Sequence, residues 1–225
     1  MRAVLIANGG DNDGGVVVER FREVGWTFEL WSREDALGWH DLAEDVGLVV
    51  SLGSDWSVYW GDIAPLVAAE AALLVKAHGR GVPIFGICFG GQMLAHALGG
   101  HVERSPEPEI GWFSVDFGPE LEDFRQEVWC QWHYDRFVPP AGAVELGRGP
   151  QGSQAFGVGS SLGLQFHPEV TEAIVARWSS GPGEAELARV GIDPSQLASA
   201  TTAHAHMSRV AGRKLVDWFV AHVMS

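Results

Sequence analysis

The chain has 225 residues, 46% of them hydrophobic and 20% charged, enough for one compact domain with a sizeable core. Its 15 basic and 29 acidic residues give a net charge of −14, a surface that repels phosphate backbones and anionic lipid and so argues against nucleic-acid or membrane binding. Two cysteines make no disulfide framework, the opening MRAVLIANGG is too short an apolar run for a signal peptide, and no stretch approaches a membrane span, so a reducing cytoplasm is the expected setting.

Short apolar runs at 3–7, 26–31, 47–52 and 82–87 read as strands, with helical patterns between them at 16–24, 62–78 and 91–98. In the 62–78 segment Asp62 is an N-cap candidate, Pro65 sits in the first turn and Gly79 near the end, while Leu66, Leu73, Leu74 and Ala77 share one face. Such alternation argues for a largely parallel sheet covered on both sides. From 112 to 166 the texture changes to short runs (WFSVDF, EVWCQW, AVELG, QAFGV, LGLQF) separated by Gly, Pro and acidic turns, as expected of hairpins. Helices are predicted at 170–178 and 208–223, with a Gly-, Ala- and Ser-rich, partly helical excursion at 179–207. One domain over 1–225 is the simplest organisation.

The sharpest local feature is Gly86-Ile87-Cys88-Phe89-Gly90, lying between a strand and a helix pattern. It has the spacing of a nucleophile elbow with cysteine in place of serine. Glycines there relieve a turn too tight for neighbouring side chains, and the following helix aims its N-terminal N–H groups at the sulfur. Taken alone, the five residues would equally suit a packed structural cysteine. Gln165-Phe166-His167-Pro168-Glu169 ends the run LGLQF. His167 precedes proline and is biased toward extended backbone, where side chains two apart point the same way, so Glu169 can reach the imidazole. A thiol needs such a base, and the base an orienting group.

GICFGGQMLAHALGG together with QFHPE resembles the signature pair of class I glutamine amidotransferases. Ser51-Leu52-Gly53-Ser54 falls where that family carries its oxyanion-loop glycines, and Glu109-Ile110-Gly111-Trp112 and Trp132-His133-Tyr134-Asp135 resemble segments of stand-alone members. The resemblance covers roughly 1–178 and implies a three-layer, flavodoxin-like α/β fold, with a mostly parallel central sheet, helices on both faces and an added antiparallel region. It implies Cys88 as nucleophile, His167 as general base and acid, Glu169 as orienter, and the backbone N–H groups of Gly53 and Phe89 as an oxyanion hole. Gln92 would hold the glutamyl portion of the substrate, with His133 and Asp135 near the pocket; read from the residues alone, the last two are equally a hydrogen-bonded pair at a strand end. Gly91 departs from the histidine of many relatives, and Leu52 and Ser54 from the usual glycine and proline, which bears on the pocket rim more than on a backbone donor.

The implied reaction is hydrolysis of the γ-carboxamide of glutamine through a γ-glutamyl thioester, with no metal or organic cofactor. Nothing in these residues would consume the ammonia, so a separate synthase is the expected partner, docked through the acidic face or residues 179–207. A self-contained hydrolase or transferase of γ-glutamyl amides or peptides is the alternative, and an inactive binding protein on the same scaffold a third. Other features are set aside. The loop Asn8–Gly15 lacks the lysine of a phosphate loop and the terminal glutamate of a calcium loop, and is expected to be a turn near the active-site mouth. His204 and His206 have no third ligand nearby, and Cys130 fits a core position in a strand.

Overall fold

The computed structural model describes residues 1–224. Ten strands and six α-helices follow one another in a pattern that begins as strand–helix alternation. They are β1 (Arg2–Ala7), α1 (Gly15–Glu23), β2 (Thr27–Ser32), β3 (Val46–Ser51), α2 (Ala64–Gly79), β4 (Ile84–Ile87) and α3 (Phe89–Ala97). The second half holds β5 (His101–Ser114), β6 (Asp116–Phe117), β7 (Val128–Val138), β8 (Val144–Gly149), β9 (Gly152–Val158) and β10 (Ser161–Leu164), then α4 (Glu172–Trp178), α5 (Pro182–Arg189) and α6 (Pro194–His222).

Eight strands form one sheet in the order β2-β1-β3-β4-β10-β9-β8-β6. The pairings from β2 through β10 are parallel, and those from β10 to β6 antiparallel. β5 and β7 pair separately as an antiparallel ribbon with an irregularity between Arg104 and Glu109. The expected mostly parallel sheet with an added antiparallel region is therefore what the chain builds.

Strand alternation divides the core. Ala3, Leu5, Leu48, Val50 and Phe85 face α1 and α6, meeting Val17, Val18, Phe21, Leu215 and Phe219. Val4, Ile6, Val49 and Ile84 face the other way, toward Leu73, Leu74 and Ala77 of α2 and Met93 and Leu94 of α3. Both faces are thus covered, giving three layers. A third cluster joins Ile110 and Cys130 of the ribbon to Ile174, Leu187 and Leu197 of the last three helices. No helix among the described residues is long and apolar enough to cross a membrane.

Several boundaries differ from expectation. Gly61–Ile63 forms a short 3₁₀ turn, so α2 starts after it and Asp62 makes no capping hydrogen bond. Val67 rather than Leu66 supplies the buried position in its first turns. α3 begins directly after Cys88, two residues earlier than its apolar pattern. β5 begins at His101, well before 112, and α6 begins at Pro194, capped by Asp193, so much of the 179–207 stretch is regular helix.

Candidate active site

In an open parallel sheet the carboxyl ends of the strands, where the order reverses, leave a crevice. Here β1 is flanked by β2 and β3, and the chain leaving β1, β3 and β4 delivers Asn8, Gly53 and Cys88 to one cavity. The cavity holds about 800 Å³ and is also lined by Gln92, Trp132, His133, Asp135, His167 and Trp178.

Cys88 occupies the turn between β4 and α3 with φ 52° and ψ −109°, and is the only non-glycine with positive φ among the described residues. Such a conformation costs about 1–3 kcal/mol and persists only where its surroundings enforce it. The Cys88 N–H donates to Leu164 O at 2.8 Å, and the Gln92 N–H to Cys88 O at 2.9 Å. Close packing completes the constraint. A Cβ on Gly90 would lie 2.0 Å from Ser51 O, and one on Gly86 2.6 Å from Gly90 O. Gly91 is equally hemmed in, its Cβ position 2.4 Å from Leu164 O, which gives a steric reason for the departure from histidine.

His167 follows β10, its N–H donating to Cys130 O of β7 at 2.8 Å. Its Nδ1 lies 2.6 Å from Glu169 Oε1, as the extended His-Pro-Glu segment predicts. The ring packs edge-on against Trp178, centroids 4.8 Å apart. Burial, the largest single influence on the imidazole, lowers its pKa; the Glu169 carboxylate and Cys88 together outweigh it and hold the pKa well above 6.5. The Nε2 is buried and makes no well-formed hydrogen bond, although Cys88 is close enough to be among the groups raising the pKa. The Cys88 sulfur receives a long contact from Gln165 Nε2 at 3.8 Å.

Gly53 stands beside this pair, its Cβ position 3.1 Å from His167 Cε1 and 3.6 Å from Cys88 Cβ. Among the described residues, neither the Gly53 N–H nor the Phe89 N–H donates to a protein acceptor. Phe89 is the first residue of α3, where an N–H has no intrahelical partner.

The three remaining expected residues line the cavity but are engaged with protein. Gln92 Nε2 donates to Asp135 O at 3.2 Å and to Gln165 Oε1 at 3.3 Å. His133 has Nδ1 3.0 Å from Asp135 O and Nε2 3.2 Å from Glu109 Oε2. Asp135 accepts from Ser57 Oγ and from Tyr59 Oη at 2.8 Å, which ties the 54–60 wall of the cavity to β7. Burial and this carboxylate raise the Tyr59 pKa. Asn8, Gly10 and Asp11 reach the cavity, so the Gly-rich loop lies at its mouth as expected. His204 lies against the Trp112 ring, and Cys130 is fully buried, where desolvation pushes its thiol pKa up.

Some residues here carried no signal in the sequence. Gln165 lies in QFHPE but was unmarked, and it links Gln92 to the sulfur. Arg33 and Glu70 form a buried ion pair behind the Ser51–Gly53 loop, Nε to Oε2 2.9 Å. Arg177, Trp178, Glu186 and Arg189 line the cavity as well: Asp11 accepts from Arg177 and Trp178, and Glu186 from Trp132.

Known proteins resemble the chain in sequence and in fold. The model of the class-I glutamine amidotransferase family matches residues 17–174. A glutamine-hydrolysing GMP synthase from Aeropyrum pernix is 36% identical over 210 residues, 86% of this chain and 39% of that protein. Its Vibrio cholerae counterpart is 32% identical over 183 residues, 75% of this chain and 32% of its own length. The chain thus spans about two-fifths or less of these relatives. The crystal structure of a glutamine amidotransferase from Thermotoga maritima superposes with a TM-score of 0.86 at 30% identity, covering 98% of each chain. That of one from Methylobacillus flagellatus gives 0.81 at 23% identity over 98% of this chain and 94% of the other, a likeness of fold. The chain belongs to the class-I glutamine amidotransferase family.

Proposed function

We propose that the chain hydrolyses the γ-carboxamide of glutamine with Cys88, His167 and Glu169 as its catalytic triad. The observation that carries this reading is the Nδ1–Glu169 contact of 2.6 Å on a histidine whose other nitrogen is buried, unbonded and beside a cysteine in a strained strand-to-helix turn. His167 Nε2 takes the thiol proton, and the sulfur attacks the γ-carbon. Charge collects on the carbonyl oxygen, where the N–H groups of Gly53 and Phe89 receive it. Each such donor is worth about 3–4 kcal/mol by analogy with other oxyanion holes. The imidazolium, kept protonated by Glu169, gives its proton to the departing nitrogen. Ammonia leaves, and a γ-glutamyl thioester remains. Water, deprotonated by the same Nε2, then attacks the thioester and frees glutamate and the thiol. Gln92, His133 and Asp135 shape the pocket for the glutamyl group, chiefly by holding its walls.

The ammonia passes to a separate synthase. The support lies in the relatives, glutamine-hydrolysing GMP synthases at 36% and 32% identity. Acid-quenching the enzyme during turnover and mapping it by mass spectrometry tests the chemistry. A γ-glutamyl adduct on Cys88 is expected; an adduct on another residue, or turnover without one in both wild type and slow-deacylating variants, contradicts it.

A second reading has its own observation. The cavity, about 800 Å³, is far roomier than a free glutamine needs, and its outer part is walled by Trp60, Trp132 and Tyr134. A γ-glutamyl amide or peptide with a larger leaving group would fit, and the same triad would serve. A kcat/KM for bulky γ-glutamyl amides exceeding that for glutamine would favour this reading.

A further inference from the structure

We infer that Arg33, neutralised by Glu70, is a positioning residue that aims and polarises the Gly53 N–H. The inference rests on the proposed amidase reading, since it concerns the donor that would receive the oxyanion.

Arg33 follows β2 and is 1% exposed; Glu70, on α2, is 2% exposed. A guanidinium carries five N–H donors in a rigid fork, and burying one is costly unless all are matched. Here each has an acceptor. Nε donates to Glu70 Oε2 at 2.9 Å, Nη1 to Asn8 Oδ1 and Gly53 O at 3.1 Å each, and Nη2 to Ser51 Oγ at 2.9 Å and Leu52 O at 2.7 Å. Ser51 Oγ closes the ring by donating to Glu70 Oε1 at 2.8 Å. Three consecutive residues, Ser51 to Gly53, are therefore gripped by one cation. The Cζ of that guanidinium also lies 4.9 Å from the centroid of the Phe89 ring, whose residue carries the other candidate donor.

The peptide between Leu52 and Gly53 is planar and trans, so its C=O and N–H point in opposite directions. The shortest Arg33 contact in the loop pulls the Leu52 carbonyl toward the guanidinium. The Gly53 N–H therefore points the opposite way from the carbonyl that Arg33 holds, on a residue whose Cβ position lies 3.1 Å from His167 Cε1 and 3.6 Å from Cys88 Cβ. The Gly90 N–H also donates to Leu52 O at 3.1 Å, which couples the loop to the nucleophile turn. A cation bonded to a carbonyl draws electron density from the amide and makes its N–H a better donor, by about 10–30% for cooperative bonds. Lysine keeps the charge but has three donors on one atom, and cannot span Leu52, Gly53, Ser51 and Asn8 together.

The experiment uses the full chain, as Arg33→Lys and as Arg33→Met combined with Glu70→Met, which removes the pair without leaving a buried lone charge. Ammonia release from glutamine is measured beside Cys88 alkylation by iodoacetamide, an attack at saturated carbon that puts no charge on a carbonyl oxygen. Expected for each folded variant is a kcat lower by about 10- to 100-fold, with KM and alkylation rate within about threefold of wild type. A folded variant with wild-type kcat overturns the proposal. So does an alkylation rate that falls by the same factor as kcat, since the site as a whole has then been lost. If thermal scans show that neither variant folds, the pair serves the fold instead of the donor, and the proposal fails. The wild-type chain separates this from the parent reading: absence of Cys88-dependent turnover there takes both down.

Discussion

Glu169 Oε1 lies 2.6 Å from His167 Nδ1, and its carboxylate favours the protonated ring. Because the folded-state pKa is raised, the imidazolium contributes stability that is fully present below the unfolded value near 6.5 and is lost as pH rises through the folded pKa. The alkaline limb of the pH–rate profile should accordingly lie above 6.5. Glu169→Gln should lower kcat by about 10²- to 10⁴-fold and draw that limb toward lower pH. Steady-state rates across pH check both; an unmoved limb would mean that another group holds the proton. The same residues explain what was readable in advance. Cys88 and the His167–Glu169 pair declare themselves through spacings of two residues, because a tight turn and an extended strand are local devices. Arg33 and Glu70 are 37 positions apart and meet only through the packing of the 3₁₀ turn after β2 against α2, so no window of sequence contains their relation. The amide of Gln92 is engaged with Asp135 of β7 and with Gln165 just beyond β10, partners far away in sequence.

Among the elements, the elbow between β4 and α3 is the most tightly constrained. Gly90→Ala would drive a methyl group into the Ser51 carbonyl, a backbone atom that cannot swing aside. We expect a stability loss of about 1–3 kcal/mol or more and a larger loss of activity, measured by denaturant unfolding alongside turnover. The 54–60 wall offers a contrast. Asp135→Ala removes the acceptor shared by Ser57 and Tyr59 while leaving the elbow intact. Hydrogen bonds to a charged group are worth about 1.5–3 kcal/mol each, so the wall should loosen, raising KM for glutamine by about tenfold or more with kcat changed less. Element boundaries were least legible where burial uses small or polar side chains. The start of α6 is buried through Leu197 and Thr201 and otherwise reads as Ala, Ser and Thr, which gives no apolar stripe. The sequence HVERSPEPEI looks like a turn because of its two prolines, but β5 lies in a two-stranded ribbon outside the main sheet and accommodates them at its irregularity.

Over the whole molecule, the two faces of the sheet divide the work. The α2–α3 side carries Glu70 of α2 and the helix that follows Cys88, while α1 and α6 close the opposite side through Phe21, Phe85 and Phe219. Phe219 meets Phe85 edge-on at 5.0 Å and Phe21 at 6.2 Å, so the last helix is part of the core. Phe219→Ala should cost about 3–5 kcal/mol in urea unfolding, with turnover by the folded fraction changed far less, since Phe219 packs on Phe21 and Phe85 and none of the three lines the cavity. The strand–helix alternation made this layering legible at the outset, because period-two and period-3.6 patterns report which face is covered. Charge was a poorer guide: Arg20, Arg209 and Arg213 between α1 and α6 are matched by Asp217, Glu19 and Glu23, pairings that the net charge does not reveal. Cys88-dependent chemistry on glutamine remains the claim on which the rest depends. Ammonia release from glutamine by the purified chain, compared with Cys88→Ser, tests it most directly. Turnover in the wild type that the substitution abolishes is expected, whereas release surviving in Cys88→Ser at the wild-type rate would rule out Cys88 as the nucleophile.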